Sequence, residues 1–309
     1  MNLNKLKAQF DFDILINERM SNHTSYGIGG SVLAYIRPNN KNDLIKIIKM
    51  MNKKSHKTYY LGSGSNLLVN DKNINAFVIT TARAIKDLKI TNNIIYADSG
   101  VMLGKLVKES MKHKLTGLES LAGVPGTLGG ALKMNAGAWG SEISNYLTSV
   151  EIIDINGDVK TLRPIDLNFG YRNSSFSSKD FILSAQFKLE SSSKEDIKIK
   201  KAKASDGRKK TQPLKYRSAG SVFKNPHSNL AAGFLIEKAG LKGTKYGDAE
   251  ISTHHANFFI NHGNARANDV IQLINIAREK VLSQFHVNLD LEIKLIGFSE
   301  KEYKKNEKK

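Results

Sequence analysis

Cysteine is absent from the 309-residue chain, which excludes disulfides, thiolate catalysis and cysteine-held metal sites together. Long apolar runs are missing too, since no stretch approaches the roughly 18 residues that a membrane-spanning helix needs. The opening "MNLNKLKAQFDFDILINERM" is charged throughout and has no uninterrupted apolar centre. No secretory leader is expected, and a cytoplasmic location is. Acidic side chains are few, 29 against 47 basic ones, for a formal net charge of +18. Such a surplus attracts polyanions. The densest basic tracts, "KEDIKIKKAKASDGRKK" at 194–210 and the terminal "KEYKKNEKK", read instead as a solvated helix face and a fraying end. Neither nucleic acid nor membrane is therefore an expected partner, and the positive field suits small anions such as dinucleotides equally well.

What is present is an ordinary globular balance, 40% hydrophobic and 25% charged, with length for two or three domains. Residues 40–52 place Leu44, Ile47, Ile48 and Met51 on one helical stripe behind an Asn/Asp start. Short strands are expected through Tyr59–Leu61, 76–80 and 94–100, with a helix around Leu103, Leu106, Val107 and Met111. "VEIIDINGDVKTL" reads as a hairpin turning at Asn156-Gly157. In "FILSAQFKLE" Leu183, Ala185, Phe187 and Leu189 alternate with polar neighbours, predicting one buried face. Serine and lysine displace apolar residues at 190–212, the best domain boundary. Beyond it, Val270, Leu273, Ile274, Ala277, Val281 and Phe285 predict a long helix capped near Asn268. A last strand at 288–298 puts Leu289, Leu291, Ile293 and Leu295 on one side. There is no internal repeat and no regular βα alternation, so the class is α+β.

Seven glycines lie within "GLESLAGVPGTLGGALKMNAGAWG" at 117–140. Inside a regular element each costs roughly 0.5–1 kcal/mol relative to alanine, so the cluster implies tight turns or a ligand against the backbone. Gly62-Ser63-Gly64-Ser65-Asn66 directly follows a strand and has the same character. Successive amides in such loops form concavities for anions. Neither loop has the G-x-G-x-x-G or P-loop spacing.

Eight blocks carry a wider resemblance: "NHTSYGIGG" (22–30), "YLGSGSNLLVND" (60–71), the glycine cluster (117–140), "YRNSSF" (171–176), "AGSVFKNP" (219–226), "AGLKG" (239–243), "STHHANFFIN" (252–261) and "LDLEIKLIGF" (289–298). In this order they resemble the UDP-N-acetylenolpyruvoylglucosamine reductase (MurB) family over residues 20–298. The resemblance implies a two-lobed FAD-binding domain of the vanillyl-alcohol-oxidase (PCMH) type followed by an α+β substrate domain. The boundaries it suggests are 1–75 and 76–195 for the lobes and 205–287 for the substrate domain, with 288–309 returning to the first lobe. It also implies non-covalent FAD, NADPH as reductant and a UDP-sugar enolpyruvyl ether as substrate, reduced to a lactyl ether. A monomer or weak oligomer is expected.

By that resemblance FAD lies against Tyr60, Gly62, Ser63, Gly64, Ser65 and Asn66, and against Gly123, Val124, Pro125, Gly126, Thr127, Gly130, Asn135, Ala136 and Gly137. The reaction places a hydride on the terminal vinyl carbon and leaves negative charge on the substrate carboxylate. It therefore needs hydrogen-bonding or positive groups there and a proton donor at the other carbon. Arg172 matches the arginine at the carboxylate, where a planar guanidinium binds bidentately. Ser221 matches the proton donor and Glu292 the assisting glutamate. Asn225, Lys242, His255 and, more weakly, Lys209 match substrate contacts. His254 and His255 would point to opposite faces of a strand, so no metal is expected.

Two departures stand out. Only "HSNLAAGFLIEKA" separates "FKNP" from "GLKG", so the chain resembles the shorter branch, without the insertion that carries a tyrosine lid. Arg217 stands where relatives often have proline. Two other readings stay open: another FAD-linked oxidoreductase of the same fold, and a basic binding protein without catalysis.

Overall fold

The computed structural model describes residues 2–81 and 83–303, so the basic tail from 304 onward lies outside the described residues. The chain forms two compact units whose segments interleave. The first comprises 1–16, 34–63 and 75–208, and the second 17–33, 64–74 and 209–309.

In the first unit, helix Lys41–Lys53 starts where the Asn40 side chain accepts from the Asp43 amide at 3.0 Å. That bond satisfies one of the donors a helix start leaves open. Its stripe of Leu44, Ile47, Ile48 and Met51 is fully buried, each such side chain contributing roughly 1.5–3 kcal/mol over exposure. A four-stranded sheet runs in the order Asp13–Ile16, Val32–Arg37, Ile74–Thr80, Thr58–Leu61. Its last two strands are parallel, so Leu61 and Thr80 end at the same edge.

A five-stranded antiparallel sheet follows, ordered Val159–Leu162, Leu147–Ile153, Phe181–Lys188, Ile94–Asp98, Leu88–Thr91. Its hairpin turns at Asn156-Gly157 as the pattern predicts, Gly157 taking φ +82°. The loop is longer than the dipeptide alone because the Asp154 carboxylate accepts from the Asn156 and Asp158 amides. Strand Phe181–Lys188 departs from simple alternation, since its first five residues are all buried. It is the central strand, with pairing partners on both sides, and alternation returns only at Gln186 and Lys188. Helix Leu103–Lys112 packs Leu103, Leu106 and Val107 into the same core as Ile95, Phe187 and Leu128. The tract at 190–212 is an 18-residue helix, Lys194–Thr211.

The second unit packs helices Ala232–Lys238 and Ala267–Phe285 with the sheet Lys245–Tyr246, Ala249–Ile251, Phe259–Asn261 around one core that includes Tyr26, Phe223 and Phe259. The long helix begins two residues earlier than predicted, at Ala267. Its cap is the Asp269 carboxylate, which accepts from the Arg266 amide at 2.8 Å, while Asn268 accepts from Gln272 on the exposed side. Regular strand at the C-terminal end is confined to Lys294–Ile296, parallel to Leu67–Val69.

Candidate active site

The segment after Gly220, itself at φ +79°, threads between two others in the second unit. On one side Ser221 bridges Phe258, and the Val222 amide donates to Asn257 O at 2.8 Å. Buried Asn257 clamps the next residue, accepting from the Phe223 amide and donating to its carbonyl. On the other side the Glu292 amide donates to Val222 O at 2.8 Å. Ser221 and Glu292 are thus brought onto adjacent segments, both partly accessible. Asn66 joins them, its Nδ2 donating to Glu292 O at 3.2 Å and its carbonyl accepting from the Lys294 amide.

Two cations near Glu292 were not predicted. Desolvation and the charge of Lys224 lower the pKa of Lys294, while Glu292 raises it. The signal for Lys294 lay in the predicted alternation, which set it with Glu292 on the side opposite Leu291, Ile293 and Leu295, although the regular strand covers only Lys294–Ile296. Lys242 ion-pairs with Glu237 at 2.8 Å, and its charge also acts on His255. His255 Nδ1 accepts from the Asn257 amide at 3.2 Å, which leaves Nε2 as its donor. Burial is the main cause that holds this imidazole below its usual pKa, with the Lys242 charge adding to it. The Asn225 side-chain Oδ1 accepts from the Ala232 amide at 3.1 Å and so anchors the helix Ala232–Lys238. Arg217 lays its guanidinium on Gly27, where a Cβ would meet Nη1 at 2.1 Å.

In the first unit Arg172 occupies the turn between Phe169–Gly170 and Asn173–Ser174, stacked 5.0 Å from the Tyr171 ring. Its φ is +53°, an uncommon conformation for a side-chain-bearing residue, of the kind that collects at functional sites. Asn135 braces this hairpin from a fully buried position. Its Nδ2 donates to Gly170 O at 3.1 Å and to Glu142, and its Oδ1 accepts from the Ser144 amide. Tyr60 packs edge-on against Phe181, and burial with the nearby Asp180 charge pushes its phenol up to about 12. Lys209 is exposed.

The two glycine segments meet within the first unit. A Cβ on Gly62 would lie 2.1 Å from Thr127 Oγ1, and one on Gly129 would lie 2.9 Å from Ser99 Cβ. In the second unit a Cβ on Gly64 would lie 2.0 Å from His23 O. Buried Ser99 Oγ and Thr81 Oγ1, each just past a strand end, have no hydrogen-bond partner among the described residues. The Cβ positions of Gly62, Gly64 and Gly129 are filled by the chain's own atoms, so these glycines serve close packing, whereas a Cβ on Gly130 would meet nothing nearer than Thr127 Oγ1 at 3.8 Å. The backbone left open there suits a ligand as rich in phosphate as FAD. A separate cavity of about 690 Å³ in the second unit, lined by Arg19, Asp71, Lys72, Arg266 and Glu302 among others, includes none of the predicted site residues.

Residues 212–296 match the family model described as UDP-N-acetylenolpyruvoylglucosamine reductase, C-terminal domain, and residues 32–163 match an FAD binding domain. The chain is 40% identical over 303 residues to the UDP-N-acetylenolpyruvoylglucosamine reductase of Chloroherpeton thalassium, covering 96% of this chain and 97% of that one. It belongs to the UDP-N-acetylenolpyruvoylglucosamine reductase family. A second member, from Clostridium kluyveri, is 39% identical over 295 residues, 95% of this chain and 96% of its own. The crystal structure of MurB from Thermus caldophilus aligns with a TM-score of 0.77 at 32% identity, covering 92% of this chain and 98% of that one. As in the shorter branch of the family, "FKNP" and "GLKG" are linked here only by a turn at His227–Leu230 and the helix Ala232–Lys238. Among the described residues no helix is long and apolar enough to cross a membrane.

Proposed function

We propose that this protein is a UDP-N-acetylmuramate dehydrogenase, reducing UDP-N-acetylglucosamine enolpyruvate to UDP-N-acetylmuramate with NADPH in peptidoglycan precursor synthesis. The observation that carries the reading is the backbone link from Glu292 to Val222, which holds Glu292 on the segment next to Ser221 in the domain that matches the reductase family. FAD would be held through Gly62–Asn66 and Gly123–Gly137 and would supply the hydride-transfer chemistry between NADPH and the enolpyruvyl double bond. Arg172 binds the substrate carboxylate bidentately and stabilises the charge that develops there. Glu292 assists at the same carboxylate, and Ser221 delivers a proton to the carbon next to it. Lys224 and Lys294 add positive potential for an anionic substrate. His255, neutral at physiological pH, offers a hydrogen bond without a charge, and Lys242 offers a charge suited to a diphosphate.

An anaerobic visible spectrum tests this directly. The yellow protein should bleach with NADPH and recolour only when the UDP-enolpyruvyl sugar is added. A flavin that stays reduced would sink the substrate assignment, and a protein that cannot be reconstituted with FAD would leave the non-catalytic reading. Ser221→Ala should slow reoxidation by about a hundredfold or more and leave flavin reduction near normal. Equal slowing of both half-reactions would remove Ser221 as the specific proton donor.

A further inference from the structure

Arg208 stands in the last turn of helix Lys194–Thr211, in a tract where Lys201, Lys203, Lys209 and Lys210 are exposed. It alone among these cations turns inward. Its Cδ and Nε lie 3.5 Å from where a Cβ on Gly123 would sit, and Gly123 has φ +78°, so the guanidinium stem rests on the bare backbone of the glycine segment. Desolvation lowers its pKa, and no neighbouring charge opposes that shift. Among the described residues it has neither a carboxylate nor a hydrogen-bond acceptor. The other desolvated arginine, Arg278, is satisfied internally. It donates to Leu289 O at 3.0 Å and Tyr303 O at 2.8 Å and lies over the Phe223 ring. The Arg208 guanidinium, by contrast, is partly accessible and has no partner within the described residues, so its donors are open to an anion from outside the chain.

The placement of Arg208 is itself supported. Gly207 lies inside the helix, where glycine costs roughly 1 kcal/mol relative to alanine. A Cβ there would meet Trp139 Cζ2 and Cη2 at 2.5 and 2.6 Å. The one tryptophan of the chain holds a φ of +54° and is 56% exposed. Its buried edge lies against the helix backbone one residue before Arg208. A strained, largely exposed indole pressed onto a helical glycine fixes that turn against the 123–137 segment.

We propose that Arg208 is the fixed cation for the diphosphate of the dinucleotide held by the Gly123–Gly137 segment, and that Trp139 packed on Gly207 is its positioning contact. The proposal rests on the FAD reading above. A diphosphate accepts the planar fork of a guanidinium in two parallel hydrogen bonds, whereas riboflavin, which shares the flavin ring, offers no phosphate.

The test titrates apo-protein with FAD and with riboflavin, following flavin fluorescence. Arg208→Met should weaken FAD about 10- to 100-fold, the range for losing charge-assisted hydrogen bonds, with riboflavin affinity unchanged. Arg208→Lys should fall between, and Trp139→Ala should weaken FAD several-fold on the same pattern. Circular dichroism and melting of each apo-variant separate binding from folding, and Arg208→Lys serves if Arg208→Met does not fold. Unchanged FAD affinity in folded Arg208 variants overturns the proposal. A parallel loss for riboflavin also overturns it, because the contact would then be to the ring or to the fold. A wild type that binds neither flavin fails the FAD reading itself, a result distinct from both.

Discussion

Tyr26 is fully enclosed in the core of the second unit, and its hydroxyl has no hydrogen-bond partner among the described residues. Burial pushes the phenol well above its usual pKa, so it stays neutral at any working pH. An unsatisfied buried hydroxyl is a net cost, because water is lost and nothing replaces it. Tyr26→Phe should therefore be at least as stable as the wild type, by up to about 1 kcal/mol. Urea unfolding measures this, and a clear loss would mean that a bound water completes the hydroxyl. The residues that sequence alone marked differ from those it hid for a similar reason. Arg172, Ser221 and Glu292 sit in distinctive motifs, whereas Arg208 is one cation in a basic tract. Only the glycine beside it, out of place in a helix, hinted that this turn meets something. Asn135 was read as a ligand contact from its motif, and its amide is engaged on three sides by the hairpin and its neighbours.

At the level of elements, helix Ala267–Phe285 shows how a start is chosen. Its first turn presents amides that need acceptors, and two carboxylates supply them. Asp269 reaches back to the Arg266 amide at 2.8 Å, and Asp71 accepts from the Ala267 amide at 2.7 Å. Asp269→Ala should cost about 1 kcal/mol, in the range for losing a capping side chain, and should lower the urea midpoint without changing its slope. No change would mean that Asp71 alone holds the end. Elements with strong local period were legible in the sequence, including the stripe from Leu44 to Met51 and the turn at Asn156-Gly157. The cap was not, because Asn268 is the stronger capping type by composition and only the fold shows which side chain faces the open amides. The doubly buried start of strand Phe181–Lys188 was hidden likewise, since its central place in the sheet depends on partners far away in sequence.

For the whole molecule, local pattern says nothing of the interleaving, in which residues 17–33 and 64–74 join 209–309. The parallel pairing of Leu67–Val69 with Lys294–Ile296 carries Asn66 to Glu292, and no periodicity encodes a contact of that sequence separation. The net charge of +18, by contrast, is visible at once, and it acts at this scale alone. The proposed reductant NADPH and the proposed UDP-sugar substrate are both anionic, so a positive surface should speed their encounter. The effect must weaken as salt shortens the Debye length to about 10 Å at 0.1 M. Raising NaCl from about 20 to about 200 mM should lower kcat/KM several-fold for both substrates while kcat changes little, because bound groups are screened far less than approaching ones. A flat response would mean that the lysines are spread too evenly to form a field at the site. If kcat fell with kcat/KM, salt would be acting on the bound state, and the charge would belong to the site contacts around Lys224 and Lys294 instead of to the surface.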